Sequence, residues 1–268
     1  MLLLLAFALQ IGVLPEKWMT GGPNCAEIPD WQVHAYNADL LILRQSGCVH
    51  YEKPFLYLLF GKERALLLDT GAGKPGTAAI VEKLRRKLPV IVVHSHGHGD
   101  HVAGDAELKA LPGVTVMAPG FAETVDLGGR TIEALPIPGH DKTSVAFYDQ
   151  LTGILLTGDS LYPGRLYVDD FPQYVASMKK LLGFADKRPI AHILGTHIEQ
   201  AATPFTDYVV RTTYQPAEHS LELGLAHLVE LVRELEFMGS KPERKALRSF
   251  TIYPRPPRNF SNGSTGAQ

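Results

Sequence analysis

"HSHGHGDH" occupies residues 94–101 and follows the apolar run "VIVV". Four histidines and an aspartate in eight positions stand out in a chain with 11 His among 268 residues. Imidazoles and a carboxylate packed this densely, with no thiolate among them, suit zinc or another divalent ion, iron and manganese included. His96 and His98 alternate with Gly97 and Gly99, and the glycines are expected to let the backbone bend and aim both rings at one ion. Asp100 and His101 lie beyond that bend and face a second ion. His94 shares a strand side with His96 by alternation, and is read as a core or supporting histidine.

Three more coordinating residues each follow an apolar strand and sit in a Gly-containing turn. They are His140 in "LPIPGHDKTS", Asp159 in "LLTGDSLYPG" and His197 in "ILGTHIEQ". Coordinating residues at several strand ends build a site on one rim of a sheet. Without a cation, so many clustered polar groups would need other partners.

Around these motifs the hydrophobic periodicity predicts strands at 33–45, 55–61, 64–73 and 90–95. Short strands follow at "VTVMA", "RTIEALPIP", "SVAFYD" and "GILLTGD", then one at 191–197, and "RSFTIYP" reads as an edge strand. Helices are expected at 75–88, with Pro75 near its start, and at 102–111, 171–184 and 216–237. The last carries an apolar stripe of Leu221, Leu225, Leu228, Val229, Val232 and Leu235. This order predicts an α+β layered fold, two sheets with helices outside.

The motifs HxHxDH, PGH, TGD and GTH, in that order and after "LLLDTGAG", resemble those of the metallo-β-lactamase superfamily over roughly residues 33–200. The resemblance implies a four-layer αββα sandwich with a dinuclear site at its edge. By that likeness His96, His98 and His140 hold one metal, Asp100, His101 and His197 the other, and Asp159 bridges; Asp69 is buried support. The implied cofactors are two zinc ions, with iron or manganese as alternatives. The implied activity is a metallohydrolase whose metal-bound hydroxide, oriented by Asp100, cleaves an ester, lactone or thioester. "TGDSLYPG" is similar to the glyoxalase II pattern. Alternatives within the fold are a mononuclear iron dioxygenase, a β-lactamase-like enzyme or a phosphodiesterase. Tyr162 is a candidate oxyanion donor, and Arg165, Tyr167, Glu218 and His219 are candidate rim residues.

Composition bounds the rest. The chain is 45% hydrophobic and 20% charged with a net charge of −2, so no nucleic-acid footprint is expected and a small-molecule substrate is. "MLLLLAFALQIGV" is too short to span a bilayer and fits a signal-peptide core, although no basic residue precedes it. Residues 1–24 are therefore read as a leader, 25–255 as a single domain and 256–268 as a disordered tail. Export to the periplasm or medium is expected, with no stable membrane insertion once the leader is cleaved; a cytoplasmic location is the alternative. Cys25 and Cys48, the only cysteines, lie outside the histidine clusters. A disulfide and two buried free thiols both remain open.

Overall fold

Consecutive apolar residues on one strand imply burial on both faces, and "ALLLD" at 65–69 meets that expectation. In the computed structural model, which describes residues 8–22, 24–74 and 76–256, Leu66 and Leu68 pack between two sheets while Ala65 and Leu67 face outward under helices. The first sheet runs β1 (Trp31–Asn37), β2 (Leu40–Gln45), β3 (Phe55–Phe60), β4 (Ala65–Leu68), β5 (Val90–Val93) and β6 (Val114–Val116), in that spatial order. Its first four strands are antiparallel and its last three parallel. The second sheet contains β7 (Val125–Asp126), β8 (Thr131–Pro136), β9 (Val145–Asp149), β10 (Ile154–Gly158), β12 (His192–Gly195) and β13 (Glu222–Leu223), in the order β13-β12-β10-β9-β8-β7. A small third sheet places β15 (Thr251–Pro254) between β11 (Arg165–Val168) and β14 (Lys245–Ala246).

Three apolar layers separate four structural ones. Helices α1 (Thr77–Leu84) and α3 (Asp105–Lys109) cover the first sheet through Val81 and Leu108. Tyr57, Leu59, Phe147, Ile154, Leu156 and Leu194 fill the space between sheets. Helices α4 (Phe171–Ala185) and α5 (Leu225–Met238) cover the second through Tyr174, Met178, Leu181, Leu228 and Leu231. The αββα sandwich expected from the motifs is the observed fold.

Several local expectations are corrected. The strand expected at 33–45 is a hairpin, β1 and β2 reversing at Ala38-Asp39. The helix expected at 102–111 is two short ones, α2 (Gly99–Val102) and α3, and "RSFTIYP" forms the central strand of the third sheet instead of an edge. The expected helix at 216–237 begins only at Leu225. Residues 216–224 are claimed by tertiary partners: Glu218 makes a bidentate pair with the buried Arg44 at 2.6 and 2.7 Å, and Glu222–Leu223 pairs with β12. The stripe shifts accordingly, and Val229 is 47% exposed. Helix α1 forms as expected but shorter; Pro75 lies outside the described residues.

Residues assigned to a leader pack on the domain. The Gln10 amide donates to the Leu151 carbonyl and Val13 to Tyr36. The buried Trp18 meets the Phe55 ring edge-on at 4.8 Å. Cys25 and Cys48 are joined by a disulfide. Among the described residues no helix is long and apolar enough to cross a membrane. The tail from 257 onward lies outside the described residues.

Candidate metal centre

Parallel strands end on the same rim, and the sandwich uses that rule to gather residues far apart in sequence. The 94–98 loop leaves β5, Asp159 follows β10 directly, His197 comes two residues after β12, and His140 sits in the turn between β8 and β9. Gly158 has φ +53, and a Cβ there would lie 2.5 Å from the Ser95 Cβ; only glycine turns the chain here so that Asp159 reaches the rim. The expected role of Gly97 and Gly99 is not what the structure shows. Neither adopts a positive φ, Gly99 has open space around it, and α2 starts there. The bend comes from helix entry, with His98 in the N-cap position.

His96 Nε2, His98 Nδ1 and His140 Nε2 form a triangle with sides of 2.9, 3.2 and 3.2 Å. Asp100 Oδ2, His101 Nε2 and His197 Nε2 form a second with sides of 3.2, 3.2 and 3.3 Å. Ligand atoms bound tetrahedrally at about 2.0–2.1 Å lie about 3.3 Å from one another, so both triangles have the dimensions of three ligands on one ion. Asp159 stands between them. Its Oδ2 is 3.9 Å from His96, 3.7 Å from His140 and 3.7 Å from His101, and its Oδ1 is 3.3 Å from His197. All seven residues named from the sequence converge on one place, and His96, His101 and Asp159 form a third group able to hold an ion.

The far side of each ring decides which nitrogen is offered. His101 Nδ1 donates to Asp69 Oδ2 at 2.8 Å, His140 Nδ1 to the Tyr167 carbonyl at 2.7 Å, and His197 Nδ1 to the Glu52 carbonyl at 2.8 Å. Each bond leaves Nε2 as a free lone pair facing the centre. Asp69, fully buried, takes a left-handed backbone (φ 65) at the end of β4, so its carboxylate also accepts from the Ser95 amide and hydroxyl. Ser95 Oγ in turn lies 3.0 Å from His96 Nδ1.

The electrostatics call for a cation. Burial favours neutral His101, yet Asp100, Asp159 and Asp69 outweigh it and hold its pKa well above the histidine range. His197 is lifted to about 9 by Asp159 and Asp100 against the same burial. Burial alone would raise Asp100 and Asp159, but the neighbouring His101 and His197 hold both far below the carboxylate range. His96 and His140 are depressed, chiefly by burial, and stay neutral. Protons accumulate on the very nitrogens that a divalent ion would take, and such an ion displaces them.

Other sequence candidates fall elsewhere. The Tyr162 hydroxyl is buried and bonds the Arg165 carbonyl at 2.6 Å and Glu199 at 2.9 Å, so its single proton is committed away from any oxyanion. Its ring packs against His197, centroids 5.7 Å apart. Arg165 pairs with Glu199 at 2.6 Å. Tyr167 serves through its backbone, whereas Glu218 pairs with Arg44 and His219 with Ser249. His94 is buried with neither ring nitrogen hydrogen-bonded, although Nε2 lies 3.4 Å from the Asp105 carboxylate. Sequence reading missed Ser95, Tyr167's carbonyl and Glu52. The two carbonyls carry no side-chain signature, and only Ser95, between His94 and His96, offered a clue.

A family model described as "Metallo-beta-lactamase superfamily" matches residues 54–121 and 118–197. A hydroxyacylglutathione hydrolase of Yersinia enterocolitica is 26% identical over 155 residues, 51% of this chain and 60% of that protein. One of Dechloromonas aromatica is 28% identical over 198 residues, 68% and 70% of the two. The chain thus spans about three fifths of the length of the first such relative. A metallo-beta-lactamase from Pontibacter korlensis superposes with a TM-score of 0.57 at 18% identity, over 77% of this chain and 99% of that one. FIM-1 of Pseudomonas aeruginosa, in its mono-zinc form, gives 0.57 at 14% identity over 80% and 98%. At those identities the structures speak for the fold.

Proposed function

The chain belongs to the metallo-beta-lactamase superfamily, a family of metallohydrolases, and from that premise we propose that it uses two divalent ions, zinc foremost, to hydrolyse an ester, lactone or thioester of a small molecule. The observation that carries this reading is Asp159, whose carboxylate faces both ligand triangles. When bound, the ions supply a water acidified towards pKa ~7 and polarise the scissile carbonyl. His96, His98 and His140 would hold one ion through ring nitrogens. Asp100, His101 and His197 would hold the other, with the second oxygen of Asp100 placed to orient a water and accept its proton. The names of the hydroxyacylglutathione hydrolase relatives favour a thioester. The same residues could host the single iron of a dioxygenase, so metal identity and oxygen uptake discriminate the two. The Cys25–Cys48 disulfide supports an oxidising compartment, periplasmic or external.

The test is a panel of a thioester, an aryl ester, a lactone, a cephalosporin and an aryl phosphodiester, assayed with zinc and with chelator. Turnover of one carboxylic class, abolished by chelator and by Asp100→Ala, is the expected result. Oxygen uptake by iron-loaded protein with no hydrolysis would reverse the reading.

A further inference from the structure

We infer that the 46–53 loop, held by the Cys25–Cys48 disulfide, is the positioning device for the Asp100–His101–His197 ligand set, so that cleaving the disulfide weakens this site selectively. The inference rests on the two-ion reading above.

The loop connects β2 to β3 and is closed at its neck by the Gln45 amide on the Pro54 carbonyl. From this loop the Glu52 carbonyl accepts from His197 Nδ1 at 2.8 Å, across 145 residues of sequence. That carbonyl decides which nitrogen His197 offers and how the ring is turned. Wherever the loop moves, the partner of His197 moves with it.

Three restraints hold the loop in place. Lys53, 1% exposed and in a left-handed conformation, donates Nζ to the Tyr51 and Thr212 carbonyls at 2.8 and 3.1 Å. Val49 and His50 amides both donate to the Ser46 carbonyl at 3.0 Å. The third is covalent: Cys48, four residues before Glu52, is tied to Cys25. Cys25 sits on an exposed turn, and its segment is fixed to the stretch between β12 and β13 by the Gly21 amide on the Thr213 carbonyl. Among the described residues no disulfide ties the supports of the other triangle, which are Ser95 and the Tyr167 carbonyl on β11.

The experiment uses the full chain loaded with cobalt, whose absorption reports each site, together with metal analysis at limiting cobalt. Oxidised protein is compared with the same sample reduced by a non-chelating phosphine and reoxidised, and with Cys25→Ser/Cys48→Ser. Reduction is expected to weaken the second ion about 10–100-fold, the cost typical of losing an outer partner of a ligand. The first ion stays, KM changes little, kcat falls, and reoxidation restores both. Far-ultraviolet circular dichroism unchanged on reduction separates this from unfolding. Two ions held equally well before and after reduction overturn the inference, and so does parallel loss of both ions. Oxidised protein that holds only one ion defeats the two-ion reading itself, and the inference falls with it.

Discussion

The two ligand triangles are similar in size and unlike in construction. His96, His98 and His140 are three imidazoles, two from one short loop, and the His98 side chain is 31% exposed. Asp100, His101 and His197 include a carboxylate and are buried or nearly so. Their supports differ more. His96 leans on the adjacent Ser95, whereas His101 leans on Asp69, 32 residues away, and His197 on Glu52, 145 residues away. A site can thus be local in its ligands and remote in what aims them. Its metal affinity is then vulnerable to changes that touch no ligand.

Asp159 tests the comparison at its strongest, because its carboxylate faces both triangles. Asp159→Ala is expected to leave less than one tightly held ion per chain and to lower kcat/KM more than ~100-fold, beyond the usual loss for an outer partner. Metal analysis and a steady-state assay read both; retention of two ions would show that the triangles stand without it.

Asp69→Ala sharpens the contrast. It removes the acceptor for His101 Nδ1 and for both Ser95 donors. The second ion is expected to weaken about 10–100-fold, measured by competitive cobalt titration. The first, reached only through Ser95, changes less. Equal losses at both would mean that the two supports form one unit.

The smallest effect is expected at Tyr162, which touches the second triangle only through its ring. Tyr162→Phe removes the bonds to Glu199 and Arg165 and is expected to destabilise by about 1 kcal/mol, with kcat within about twofold. Thermal denaturation and the hydrolysis assay report the two. A large drop in kcat with metal retained would restore the oxyanion role expected from the sequence.

Legibility followed the range of the interactions. His96, His98, Asp100 and His101 were readable because eight residues carry four candidate ligands, and His140, Asp159 and His197 because each follows an apolar strand. Strands β3, β4 and β10 were readable because two-sided burial writes continuous apolar runs. The start of α5 was not, since Leu221 continues the helical apolar stripe upstream and the Arg44–Glu218 pair and the β12 ladder override it. Glu218 and His219 were misplaced with it.

Residue type and spacing by themselves determined the candidate donor set, the strand ends that bear it and the family to which the chain belongs, because coordination and strand burial each demand particular side chains. Tertiary structure alone decided which nitrogen each histidine offers, that Asp159 stands between the two triangles, that Tyr162 turns its proton elsewhere and that Cys25 meets Cys48. Those outcomes depend on backbone carbonyls, on ring rotations and on the approach of segments up to 145 residues apart. A carbonyl is the same in every residue, so no sequence can mark the one that will be used.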